Sequence, residues 1–294
     1  MFKILLPVDF SENTDNTCQY ALALAAAMPA AHILLLHCFH DNLADADYPL
    51  PPAEDLTASE AVAERVIHRN EIESQDLMEE LYRNLKRDAR TAGTNIKVER
   101  TFMYGAAEDK IPDEISRFKP DLVIMGTKGE SGITRSFFGT VTTKIVEAAQ
   151  VPLLTVPRTY TGGIPAKVLY ATDFDSSDAA ALEALQRLLQ EFNSEIYCVH
   201  ISENEKQQEV DKLQELQQQL TTSTSGSNLH YTLLEGGNVA DAIEDLVQRE
   251  QFGLVALTTR ERTLLGSILN PSLAKKMVLN ALVPILIFHS NEKA

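Results

Sequence analysis

The chain repeats itself. Phe2-Lys-Ile-Leu-Leu-Pro-Val-Asp-Phe10 returns as Ala166-Lys-Val-Leu-Tyr-Ala-Thr-Asp-Phe174, and Ile33-Leu-Leu-Leu-His37 returns as Ile196-Tyr-Cys-Val-His200. From Gly105 to Pro152 and from Gly237 to Pro284 the halves run together without a gap. Along that stretch Ile111 matches Ile243, Leu122 matches Leu254 and Val151-Pro152 matches Val283-Pro284. A duplication of this length fixes the organisation before any residue is read for chemistry: two copies of one domain. With 294 residues, each copy has enough chain for its own core. The first is placed at 1–157, a Gly/Pro linker at 158–166 and the second at 167–290.

Within the first copy, apolar runs near 3–8, 33–38, 98–103, 121–125 and 152–156 read as strands. They are continuous rather than alternating, which suits a parallel sheet buried on both faces. Between them Leu77, Leu81 and Leu85 mark a helical stripe, as do Val210, Leu213, Leu216 and Leu220 in the second copy. The Gln-rich stretch 207–219 is a solvated helix face. The expected fold is α/β: two tandem doubly wound, Rossmann-like domains, each a five-stranded, mostly parallel sheet with helices on both faces. Ligands on such sheets sit in the crevice beyond the carboxyl ends of the strands.

Between its second and third strands the first copy is 31 residues longer than the second. The excess, roughly 41–75, opens with Tyr48-Pro-Leu-Pro-Pro52, an extended or irregular segment. Helical sequence rich in Glu and Arg follows, and an ordered flap or dimer arm is expected there.

Net charge is −16, with −9 over residues 1–157 and −7 over the rest. Neither half offers the basic surface that nucleic acid or anionic lipid requires, so neither is expected as a partner. Cys18, Cys38 and Cys198 form no disulfide framework and lie in apolar surroundings, as small core residues do. The uncharged run Tyr20–Leu36 is short for a membrane span and is broken by Pro29. Asp9 and Glu12 follow the first apolar run too closely for a signal peptide, and a cytoplasmic location is expected.

Chemistry concentrates after the run Leu122–Met125. Gly126 and Gly129 allow a tight turn, and Gly139-Thr140 then opens an apparent helix at 141–150. A helix start offers unpaired N–H groups and a positive dipole end, both suited to phosphate. The Thr140 hydroxyl adds a donor, and Lys128 and Arg135 can bring charge from the loop. The plain alternative is a glycine-marked surface loop with Thr140 capping the helix. The string is neither a Walker A loop nor a Rossmann fingerprint, which would follow the first strand.

Read together, the G-2x-G-9x-G-[ST] string, the early strand ending in Pro7-Val8-Asp9-Phe10-Ser11 and the second strand ending in Leu36-His37-Cys38 resemble the universal stress proteins in their tandem two-domain form. The resemblance covers the chain apart from roughly 41–75. It implies that Pro7, Val8 and Asp9 lie beside adenine and ribose, and that the backbone at Cys38 bonds the adenine edge. It implies that Met125, Gly126, Gly129, Gly139, Thr140 and Val141 surround the ribose and phosphates. It further implies ATP, with or without magnesium, as ligand, and little or no hydrolysis. The last strands of the two halves are expected to pair within the chain, with homodimerisation through the 41–75 arm and a regulatory protein partner of unknown identity.

Asp9 also has a structural reading, capping the helix that starts near Ser11-Glu12; Asp173 repeats it. In the second copy Gly126, Gly129, Gly139 and Thr140 become Thr258, Glu261, Pro271 and Ser272. Glu261 brings negative charge toward phosphate, Thr258 adds bulk where backbone should approach a ligand, and Pro271 has no N–H to donate. One nucleotide per chain, in the first half, is therefore expected. No metal site is completed around His37 and His40, and no nucleophile–base pair is legible, so a sensor or regulator is expected rather than an enzyme. The alternatives are an interaction scaffold with vestigial sites in both halves, or a slow ATPase.

Overall fold

A computed structural model of the chain describes residues 1–40, 58–92, 95–127, 141, 142, 144, 145, 151–202, 207–223, 228–260 and 282–290. Lys128, Gly129, Arg135, Gly139, Thr140, the Tyr48–Pro52 segment and Glu261, Pro271 and Ser272 lie outside the described residues.

The first half runs β1 (Phe2–Pro7), α1 (Thr14–Ala27), β2 (Ala31–Phe39), α2 (Ala58–Thr91), β3 (Ile96–Tyr104), α3 (Ala107–Phe118), β4 (Leu122–Gly126) and β5 (Leu153–Val156). The second runs β6 (Lys167–Ala171), α4 (Asp178–Leu189), β7 (Glu195–Ser202), α5 (Gln207–Ser223), β8 (Leu229–Glu235), α6 (Val239–Glu250), β9 (Leu254–Arg260) and β10 (Ile285–Ser290). The ten strands form one sheet in the order β3-β2-β1-β4-β5-β10-β9-β6-β7-β8. Every pairing is parallel except that of β5 with β10 at the centre, where Thr155 faces Ile285 and Leu154 faces Leu286. The expected intrachain pairing of last strands is therefore present.

Burial follows from the parallel sheet being covered on both sides. Ile4, Leu5 and Leu6 are all fully buried although consecutive side chains point to opposite faces. Ile4 and Leu6 enter one core with α1 and α2, while Leu5 enters the other with Ile111 and Ile115 of α3. Both cores cross the seam. Leu257, Ile285 and Ile287 of the second half pack with Leu5 and Leu153 of the first, and Tyr160 of the linker meets the Tyr20 ring edge-on at 5.9 Å.

Helix α2 has 34 residues against 17 in its counterpart α5, so much of the first half's excess is added helix. Its buried stripe is Met78, Leu85 and Ala89, while Leu77 is 42% exposed. The expected stripe was thus one residue out of phase at its start. Both residues are apolar, and only the placement of β3 decides which one turns inward.

Candidate functional site

In each half the chain leaves the first strand for a helix on one face and reaches the fourth strand from a helix on the other. The carboxyl ends of β1 and β4 therefore diverge at a topological switch point, where a doubly wound sheet opens its crevice. Pro7, Cys38 and Gly126 stand at the ends of β1, β2 and β4. Val141, Thr142, Lys144 and Ile145 are helical, as expected for 141–150.

Not every candidate faces the same way. Cys38, Met125 and Val141 share one apolar cluster on the α3 face, together with Met103 and Ala107, which sequence reasoning missed. Val8 packs into the opposite core with α1, which leaves only its backbone toward the crevice; its N–H donates to Leu36 O at 2.8 Å. Asp9 is exposed and its Oδ1 accepts the Ser11 N–H at 3.1 Å, holding the turn that leads to α1. The position before the helix is Asn13, whose side chain makes no capping bond. Burial pushes the Cys38 thiol up to about 12, with Lys110 opposing and Glu114 reinforcing the shift, so this sulfur is no thiolate at neutral pH. Lys144 donates to Glu108 Oε1 at 3.1 Å and ties the helix after the glycine string to α3. Bonding to its own backbone N–H, and then to Lys144, holds the Glu108 carboxyl below its usual range.

The strand-end histidines do repeat a role. His37 Nδ1 meets Val8 O and His200 Nδ1 meets Thr172 O, both at 2.9 Å. Each ring packs against a phenylalanine, Phe10 at 4.3 Å or Phe174 at 4.2 Å. Those phenylalanines have φ of 56° and 64°, a left-handed conformation that costs a bulky residue energy unless its surroundings hold it. Among the described residues no cluster of three or more His, Cys, Asp or Glu side chains is arranged for a metal ion.

The two crevice floors differ as sets. A Cβ built on Gly126 would lie 2.6 Å from Asn13 Nδ2 and 3.3 Å from Thr17 Oγ1. The close approach of α1 is therefore a packing reason for this glycine, one that the sequence reading did not contain. The second half has Thr258 there, with Ser177 and Ala181 in place of Asn13 and Thr17. These smaller side chains leave room for the β-branched residue, which bonds Tyr170 OH at 2.6 Å. Around it Asp178, 1% exposed, accepts Tyr170 OH at 2.6 Å, Thr172 Oγ1 at 2.5 Å and the Asp175 N–H at 3.0 Å. The matching residues of the first half are Thr14, Leu6, Val8 and Ser11. A self-satisfied polar network is thus buried on the α4 face of the second half, beside its strand ends. Neither Asn13 nor this network carries a motif, but reading the two halves position against position exposes both.

A family model described as the universal stress protein family matches residues 1–157 and again 166–289. The chain belongs to the universal stress protein family. A universal stress protein of Methanocaldococcus jannaschii is 29% identical over 89 residues, 30% of this chain and 52% of that protein. One from Synechocystis is 22% identical over 155 residues, 52% of this chain and 96% of that protein. The crystal structure of a universal stress protein from Archaeoglobus fulgidus superposes with a TM-score of 0.70 at 17% identity, covering 99% of this chain and 97% of that one. At that identity the likeness speaks for the fold. In this universal stress protein no helix among the described residues is long and apolar enough to cross a membrane.

Proposed function

We propose that this universal stress protein binds one adenine nucleotide, ATP, in the crevice of its first half and acts by occupancy rather than turnover. The observation that carries the reading is the asymmetry of the crevices. The first presents an apolar wall of Cys38, Met103, Met125 and Val141 beside the strand end that starts the glycine string. In the second half Thr258 stands in place of Gly126 and bonds into the Tyr170–Asp178 network, buried on the α4 face.

In this reading Pro7, Val8 and Asp9 flank adenine and ribose, and the Cys38 backbone bonds the base. Met125, Gly126, Gly129, Gly139, Thr140 and Val141 surround ribose and phosphates, with Lys128 and Arg135 adding charge. Magnesium, when present, is held through the phosphates, as that ion prefers. The three free cysteines suit a cytoplasmic site of action. Self-association belongs on α2, where Val62 and Ile72 are 59% and 46% exposed, since the seam strands are already paired.

Calorimetry of the purified chain with ATP tests the reading, and one site per chain is expected. Gly139→Trp is expected to weaken binding at least tenfold while the far-UV spectrum stays unchanged. Native mass spectrometry counts nucleotides and chains together. Absence of ATP binding by the wild-type chain would overturn the reading, and two nucleotides per chain would overturn the asymmetry.

A further inference from the structure

One contact of the first crevice has no counterpart in the second, and it leads out of the crevice toward the seam. Asn13 is 2% exposed, and its Nδ2 donates to Val156 O at 2.8 Å. The same carbonyl accepts the N–H of Thr127, the residue after Gly126, at 3.2 Å. Val156 ends β5, the strand that meets the second half. One turn along α1, the half-buried Asn16 donates from Nδ2 to Pro157 O at 2.9 Å. Two asparagines of α1 thus clasp the end of the seam strand, and one of them shares its acceptor with the beginning of the glycine string.

In the second half the equivalent residue is Ser177, whose hydroxyl turns back to donate to Asp175 Oδ1 at 2.6 Å. Asn13 is also the costlier choice. Its Oδ1 is buried with no hydrogen-bond partner among the described residues. A buried amide that leaves its carbonyl unmatched is a poor device for stability alone. What it adds is a third element: Gly126 already lies beside Val156 in the β4–β5 ladder, and Asn13 braces the shared Val156 carbonyl from the start of α1.

We infer that Asn13 is a positioning residue that braces the junction of the glycine string and the seam strand from α1, so that occupancy of the first crevice is passed on to β5 and β10. The ligand-linked part rests on the nucleotide reading above; the positioning itself rests on the contacts alone. A shift of Thr127 moves the Val156 carbonyl that it shares with Asn13. β5 then carries the shift across its pairs with β10, Thr155 to Ile285 and Leu154 to Leu286.

Hydrogen exchange of the full chain, with and without ATP, tests this in wild type, Asn13→Ser, Asn16→Ala and Thr17→Ala. Without ATP, Asn13→Ser is expected to speed exchange at Thr127 and across 153–156 roughly tenfold, the loss of one buried hydrogen bond, while β7 and β8 stay unchanged. With ATP, the wild type is expected to slow exchange at 285–288, and Asn13→Ser to lose that response while still binding ATP. Asn16→Ala removes the neighbouring tie and is expected to shrink the response, which keeps the test open should Asn13→Ser fold poorly. Thr17→Ala opens space beside Gly126 and removes the Thr17 Oγ1 bond to Asn13 O at 2.8 Å, but it leaves the Asn13 Nδ2 bond to Val156 O in place and is expected to keep the response whole.

Unchanged exchange at Thr127 and 153–156 in ligand-free Asn13→Ser overturns the inference. So does an intact response to ATP in Asn13→Ser, or its equal loss in Thr17→Ala, which would make the effect one of packing. If the wild type binds no ATP, the nucleotide reading falls, and the ligand-free comparison still decides the positioning role.

Discussion

Asp178→Ala is expected to destabilise the protein by about 3 kcal/mol, because it strands buried donors that the carboxylate now satisfies. Tyr170 OH keeps its bond to Thr258, but Thr172 Oγ1 and the Asp175 N–H lose their acceptor. Urea unfolding followed by circular dichroism reads the loss as a lower midpoint. The same change at the matching position, Thr14→Ala, is expected to cost under about 1 kcal/mol, since Thr14 Oγ1 makes only a 3.5 Å contact with Asp9. Equal costs in the two halves would remove the network as the distinguishing feature of the second.

The pH dependence has a definite sign. Burial holds the Asp178 carboxyl above the usual carboxylate range, against the hydrogen bonds from Thr172 and Tyr170. The folded state then favours the protonated form more than the unfolded chain does. The contribution of this group is fully present below the ordinary carboxylate pKa and declines as pH rises through the folded value. Asp178→Asn should remove that decline, so the stability difference between variant and wild type should change as pH rises above the ordinary carboxylate range. A difference independent of pH would contradict the assignment.

Gly126→Thr is expected to cost about 2 kcal/mol in the complete absence of nucleotide. The new Cβ must displace Asn13, whose amide is held by Val156 O. The triple variant Asn13→Ser, Thr17→Ala, Gly126→Thr imports the three touching residues but not the Tyr170 partner of Thr258, so only part of the loss should be recovered. Coupling of this kind between touching residues is what a mutant cycle isolates. If Gly126→Thr unfolds at the wild-type urea concentration, the glycine is not a packing glycine. If the triple variant is no more stable than the single one, the two sets are not interchangeable.

What was legible beforehand divides along a physical line. The duplication and the strands follow from local patterns repeated at matched positions, such as Val151-Pro152 and Val283-Pro284, while the pairing of the last strands comes from the family resemblance. Each pattern needs only its own neighbours to be recognised. The reason for Gly126 was not legible, because it depends on the side to which its missing Cβ would point and on what α1 presents there. That information resides in Asn13 and Thr17, more than a hundred residues away in sequence. The phase of α2 was hidden for a similar cause: Leu77 and Met78 are both apolar, and β3 chooses between them. Val8 and Cys38 both occupy strand ends in the motif, yet the pleat sends their side chains into opposite cores.

The antiparallel seam also sets an order in time. β5 is complete once residue 156 has been synthesised, but its partner begins at residue 285. At ordinary translation speeds the intervening stretch takes on the order of ten seconds. Throughout that interval the nascent chain carries a strand edge whose intended partner does not yet exist. Neighbouring ribosomes on one message hold identical edges, the arrangement in which chains pair with each other instead of with themselves. At four residues, Leu153–Val156 is a short strand, which limits what a wrong partner can gain before the right one arrives.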